Sequence, residues 1–227
     1  MKIFLGLWLT IVIIVAFSFP IVSQPQNWYD LPMVPGLEEK ARILFFHVPM
    51  AWVTVVAFLV SMGYGIKYLV KKNPDDDIKS VSSASLGLMF CILATVTGSL
   101  WAKFNWGSFW NWDPRETSIF VLLLIYGAYF ALRSSLDVDE KRATLSAVYS
   151  ILAGVTVPFF IFIMPRILQS LHPDPIINNR GKIDMNHTML IIFLSSLAGF
   201  TALYFWMWTL KFRLERLLFK RSLEQGE

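Results

Sequence analysis

The sequence predicts an all-α membrane protein with six transmembrane helices, both termini cytoplasmic, and a tryptophan-rich loop on the outer face. Three observations carry this expectation. Only 16% of the 227 residues are charged and 56% are hydrophobic, whereas about a quarter of a soluble domain is charged. The apolar residues, which raise the mean hydropathy to +0.55, fall in six long blocks with few or no charges, the pattern of membrane spans. The cations are divided unevenly between the segments joining those blocks, and such asymmetry sets orientation.

The blocks take residues of about 3–22, 43–70, 81–102, 114–132, 143–164 and 187–210, and 1–227 reads as a single domain without repeats. The first follows Lys2 directly and is long enough for a hydrocarbon core of ~30 Å. Ala16-Phe17-Ser18 resembles a signal-peptide cleavage site, but the block's length favours an uncleaved helix. A polar stretch with Pro25, Pro32, Pro35 and Gly36 then ends in the charged run 38–42, read as an interfacial turn. The second block carries His47 and Pro49 in its first turns and ends at Lys71-Lys72; Asn73-Pro74-Asp75-Asp76-Asp77 reads as a turn. The third block has no charge. The fourth opens on Asp113-Pro114-Arg115-Glu116, where Asp113 caps, Pro114 takes the first helical position and Glu116 completes a capping box. From Pro114 to Leu132 is 19 residues, or ~28 Å of helix. After the charged turn 133–142, the fifth block holds Pro158, a kink position. A polar loop, 165–186, leads to the sixth, which ends at Trp206 and Trp208 and continues into a basic amphipathic tail, 211–221. With six spans, 13 Lys and Arg share the side of the termini and 7 lie opposite, so the termini are expected in the cytoplasm.

Before the fourth block, Trp106, Trp110 and Trp112 stand within seven positions, with Trp101 just upstream. Tryptophans gather at membrane interfaces as a belt, and they also offer flat, polarizable surface to a ligand; both readings stay open on composition alone. An extended 110–112 segment would turn Trp110 and Trp112 to one face. The expected topology places all three histidines, His47, His172 and His187, on the tryptophan side. A zinc site usually needs four ligands. Haem needs only one or two axial imidazoles and a large apolar enclosure, with Arg42, Arg115, Arg166 or Arg180 available to carboxylates. The single cysteine, Cys91, lies in an apolar block, so the chain has no CxxC, no CxxCH and no internal disulfide. No serine stands with a paired histidine and acid, and no basic run alternates with aromatics as a nucleic-acid groove requires. The residues alone therefore point to an outer-face site for a planar ligand such as haem.

Trp-Gly-x-x-Trp-x-Trp-Asp-x-Arg at 106–115 resembles the tryptophan-rich (WWD) motif of the haem-handling proteins of cytochrome c maturation. With six spans and outer histidines on both sides of the motif, the whole chain is most similar to the protein C family of the Ccm system, the haem exporter protein C type. The resemblance implies a haem-binding and transfer protein of the bacterial inner membrane, not an enzyme, that holds haem b at the periplasmic face. It implies delivery to a periplasmic haem chaperone, Ccm protein E, assisted by small membrane protein D and ABC transporter proteins A and B. Carried over by position, His47 in His-Val-Pro-Met-Ala-Trp and His172 in Ser-Leu-His-Pro match the axial histidines, and Trp106, Trp110, Trp112, Asp113 and Arg115 match the motif. Two departures stand out. Phe109 replaces a further Trp, and Pro114-Arg115-Glu116 resembles the longer haem channel of the other maturation system, which has more spans and a second histidine pair. His187 has no family counterpart. Asp113 is expected to act chiefly as a helix cap. The competing classes are a quinone or haem oxidoreductase subunit, for which an intramembrane histidine pair is missing, and a structural transporter subunit with a tryptophan belt.

Overall fold

A computed structural model describes residues 2–19, 38–172, 185 and 187–225. Its described residues form helices and connecting segments only. These are α1 (Lys2–Ser18), a 3₁₀ turn (Glu38–Ile43), α2 (Leu44–Lys71), α3 (Pro74–Trp106), α4 (Pro114–Ser134), α5 (Asp139–Pro158), a π-helical stretch (Phe159–Ile163), α6 (Met164–Ile167) and α7 (His187–Gln225). Five helical stretches, 40–71, 74–106, 114–134, 139–167 and 187–224, are long and apolar enough to cross a membrane. The α1 helix is apolar but has 17 described residues, about 25 Å. The rest of the expected first span, 20–22, lies outside the described residues.

Several boundaries move, each for a local reason. The expected turn 73–77 is instead the start of α3. Asn73 caps by accepting from the Asp75 N–H at 3.0 Å, Pro74 occupies the first helical position, and three aspartates fill the first turn, where the helix dipole favours negative charge. α3 therefore has 33 residues, starting seven residues earlier and ending four later than the expected span. It stops at Gly107, whose φ of +79° is the left-handed cap position that glycine takes without strain. Pro158 disturbs its helix as expected, and the backbone answers with the π-helical stretch 159–163; a residue without an N–H commonly leaves such an adjustment. The tail after residue 210 continues α7 as one 39-residue helix.

Small residues bring α2 and α3 together, as in membrane helix pairs generally. Ser83 donates to the Ala57 carbonyl at 2.6 Å and pairs with the Tyr204 hydroxyl of α7 at 2.7 Å. Ser61 and Ser80 meet at 3.1 Å. The core beside them holds Phe58, Cys91, Leu122, Tyr126 and Tyr129, with Phe58 stacked on Tyr126. Outward-facing positions are apolar too, among them Val96, Leu124, Leu152, Val155 and Ile191, as lipid-facing surface requires. Pro49 lacks the N–H that would bond the Phe45 carbonyl one turn earlier, and that carbonyl instead accepts the Ser196 hydroxyl of α7. A helix defect thus becomes an inter-helix tie half a turn from His47.

Candidate functional site

The loop 107–113 is tied down from the helix that follows it. The capping box forms as expected: Asp113 accepts from the Arg115 N–H at 2.9 Å, and Glu116 accepts from the Asp113 N–H at 3.3 Å. Glu116 reaches further and takes the Asn111 N–H at 2.7 Å. The Ser108 hydroxyl donates to the Trp110 carbonyl at 2.9 Å. Trp112 sits at φ +56°, so 110–112 is not extended. Its ring nevertheless meets Trp110 edge to face at 5.9 Å, and both approach Phe120.

The tryptophans consequently divide into two groups. Trp110, Trp112 and Phe120 form an outward cluster in which Trp112 is 69% exposed. Trp106 turns the other way. It meets Trp101 at 5.0 Å and the His172 ring at 4.7 Å, while Trp101 lies 5.7 Å from the same imidazole. Trp101 is itself anchored through its indole N–H to the Lys40 carbonyl at 3.2 Å.

His172 is held by the capping residue of α4. Asp113 Oδ1 lies 2.9 Å from His172 Nδ1, and the Asp113 side chain is 1% exposed. The same carboxylate accepts the Leu171 N–H at 2.7 Å and the Ser170 hydroxyl at 2.9 and 3.0 Å. The Ser170 oxygen in turn accepts the His172 N–H at 3.1 Å. Burial depresses the His172 value to about 4; Arg115 adds to that and the Asp113 carboxylate opposes it. The imidazole is therefore neutral at pH 7, and an ionised carboxylate can only accept, so the proton sits on Nδ1 and the Nε2 lone pair is bare. For Asp113, burial acts upward, but the donors from Arg115, Leu171 and Ser170 outweigh it and hold the carboxyl below its ordinary value.

His47 is fixed from α3. Its Nδ1 lies 3.0 Å from Thr97 Oγ1, and the single Thr97 proton is directed to the Leu93 and Ala94 carbonyls at 2.8 and 3.1 Å. With that proton given to the helix, Thr97 accepts from His47 Nδ1–H, and the Ala94 backbone is a further hydrogen-bond partner of the ring. Gly98 permits this seating, because a Cβ there would stand 2.9 Å from His47 Cε1. His47 lies within electrostatic reach of both His172 and Arg115.

The structure thus gathers His47, His172, Trp106, Asp113 and Arg115 around one end of the bundle, and sets Trp110 and Trp112 in a neighbouring exposed cluster. Of the other arginines, Arg42 donates to the Ala16 and Phe19 carbonyls at the end of α1 and Arg166 to the Phe162 carbonyl. Arg180 lies outside the described residues. His187 is exposed at the first position of α7. No cluster of three or more His, Cys, Asp or Glu side chains suited to a metal ion occurs among the described residues. Trp101, Thr97, Gly98 and Ser170 belong to the site without having been singled out as its members by sequence. Only Ser170 carried a local signal, two residues before a histidine whose N–H it can accept.

A family model described as Heme exporter protein C matches residues 3–225. The chain is 31% identical over 163 residues to the Heme exporter protein C of Bradyrhizobium diazoefficiens, covering 72% of this chain and 62% of that protein. It is 30% identical over 183 residues to a putative cytochrome c biosynthesis ccmC-like mitochondrial protein of Arabidopsis thaliana, covering 81% and 68%. Against the Heme exporter protein C of Rhodobacter capsulatus it is 24% identical over 202 residues, covering 88% and 84%. The match thus spans less than two thirds of the Bradyrhizobium protein.

Proposed function

The chain belongs to the Heme exporter protein C family, and from that premise we propose that it handles haem in cytochrome c biogenesis, holding haem b between His47 and His172. The observation that carries this reading is the matched state of the two imidazoles. Each has Nδ1 within hydrogen-bond distance of a fixed polar partner, Asp113 or Thr97, on separate elements at one end of the bundle, with His172 walled by Trp101 and Trp106. Metal-bound histidines characteristically donate the other ring N–H to a carboxylate, carbonyl or hydroxyl partner. Arg115, within reach of both rings, suits the propionates. Trp110 and Trp112, grouped with Phe120, offer an exposed aromatic face for docking or for the haem edge.

In this reading the protein lies in the bacterial inner membrane with α1 as a sixth span and the tryptophan end periplasmic. It performs no turnover chemistry. His172, on a connecting segment, yields when a periplasmic haem chaperone, Ccm protein E, docks; membrane protein D and ABC transporter proteins A and B are the expected associates. The test is the optical spectrum of the full chain loaded with haemin. Wild type should give six-coordinate low-spin haem, and both His47→Ala and His172→Ala should lose it. A low-spin spectrum unaltered in either variant removes that residue as a ligand.

A further inference from the structure

We propose that Asp113 is the positioning residue for His172 as an axial ligand, and that the two histidines are consequently unequal donors. The inference rests on the reading of both as haem ligands. The sequence assigns Asp113 to a helix cap, and it does cap α4. The same buried carboxylate also receives the Leu171 N–H, the Ser170 hydroxyl and His172 Nδ1–H. One side chain therefore fixes three things together: the start of α4, the path of 170–172, and the tautomer that leaves His172 Nε2 bare. Since the tryptophan loop is bound to the same cap through Glu116, the loop and the His172 segment are held as one piece.

The partner of His47 is of a different kind. Thr97 is a neutral hydroxyl whose own proton is given to helix carbonyls. A carboxylate drawing on Nδ1–H raises electron density at Nε2 more than a neutral acceptor does, and such outer partners tune both metal affinity and redox potential. His172 is thus the stronger donor, which favours ferric iron, and His47 the weaker. The stronger bond depends on a segment whose seating Asp113 controls, so a partner that drew 170–172 away from Asp113 would weaken the ligand in the same movement.

The test uses the full chain in detergent with haemin as probe. Asp113→Asn retains a capping side chain but not the charge, and it sets an amide N–H₂ against donors. Its haemin affinity should fall 10–100-fold, and at saturating haemin its midpoint potential should move positive. A potential unchanged from wild type, or moved negative, overturns the proposal. A second comparison leaves Asp113 in place: His47→Ala and His172→Ala, each completed by added imidazole. The His47→Ala protein keeps the carboxylate-backed ligand and should have the lower potential; equal potentials or the reverse order overturn the proposal. Failure of the underlying reading looks different, since His172→Ala would then keep the wild-type low-spin spectrum without imidazole.

Discussion

Both ends of the bundle bury carboxylates, and they do so in opposite ways. At one end, Asp75, Asp76 and Asp77 open α3, and each meets a cation from a different helix: Arg216 of α7 at 3.0 Å, Lys67 of α2 at 2.9 Å, and Arg133 of α4, bidentate at 2.8 and 2.6 Å. At the tryptophan end, Asp113 is answered by two backbone N–H groups, a serine hydroxyl and a neutral imidazole. Ion pairs between helices at low exposure lock geometry, because separating them strands a charge. The hydrogen bonds on Asp113 are charge-assisted, about 1.5–3 kcal/mol each, but their donors carry no charge and three of them come from the connecting segment 170–172, so release strands one charge and not two. One end is held by charges on both partners, the other by a charge on one partner only.

The sharpest way to break this comparison is at the aspartate end. Arg133 and Asp77 are 15% and 12% exposed in their side chains, so Arg133→Ala leaves a nearly dry carboxylate without its partner. Truncating one member of such a pair destabilises by about 3–5 kcal/mol. Unfolding in mixed micelles should show a loss of that size, while haemin taken up per folded molecule stays at the wild-type level. Unchanged stability would mean that the α3–α4 contact does not depend on the pair.

Next comes the division among the tryptophans. Trp106 packs on His172 whereas Trp112 is 69% exposed. Trp106→Ala should weaken haemin binding by about tenfold or more, the equivalent of ~1.4 kcal/mol or above for a lost aromatic contact. Trp112→Ala should change binding less than about threefold yet lower transfer to the chaperone per molecule. Equal effects on binding from the two variants would show that the platform is not divided.

The titration of His172 follows, with a definite sign. Its value in the folded protein, about 4, lies below the ~6.5 of a solvated imidazole. The released segment therefore takes up a proton before the seated one does. Seating is fully stable above pH 6.5 and loses stability as pH falls from there towards 4, by at most ~3 kcal/mol. The Asp113 carboxyl, also depressed, contributes in the same direction, with its share lost only below its ordinary value of about 4. Because imidazolium quenches a neighbouring indole, the difference in tryptophan fluorescence between wild type and His172→Gln reports the proton. Its midpoint should lie well below 6.5; a midpoint at 6.5 would mean a solvated ring.

How much of this could be read from the chain depended on sequence distance. The α4 capping box was legible because Asp113, Pro114 and Glu116 act within one turn, and five of the six expected spans were legible because lipid demands long apolar blocks. The start of α3 was equally local, yet three successive aspartates look like a solvated turn until Asn73 and Pro74 are weighed as helix-opening residues. The second role of Asp113 was not legible. A carboxylate at a helix start is fully explained by its cap, and nothing nearby announces a histidine brought from the other side of α5. Thr97 meets His47 across fifty residues, and Gly98 matters only because an imidazole from another helix lies over it. Helix pairing creates these contacts, and a single sequence does not encode them in any local pattern.

The smallest expected effect sharpens the comparison from within the aspartate end. Arg216 and Asp75 pair at 3.0 Å with side chains 47% and 27% exposed, so water competes for both charges. Removing the arginine leaves Asp75 hydrated and in the first turn of α3, where the helix dipole still favours it. Exposed pairs contribute about 0.2–1 kcal/mol, and Arg216→Ala should fall in that range in the same micelle unfolding experiment. The extended part of α7 retains a second tie nearby, Lys79 over the Phe212 ring at 4.9 Å, so its helix content should hold. If Arg216→Ala instead destabilised as much as Arg133→Ala, the three aspartates would be acting as one coupled network, and exposure would cease to rank the pairs. A double variant decides between these cases: losses that add within ~0.5 kcal/mol mark independent pairs, and a larger discrepancy marks coupling through α3.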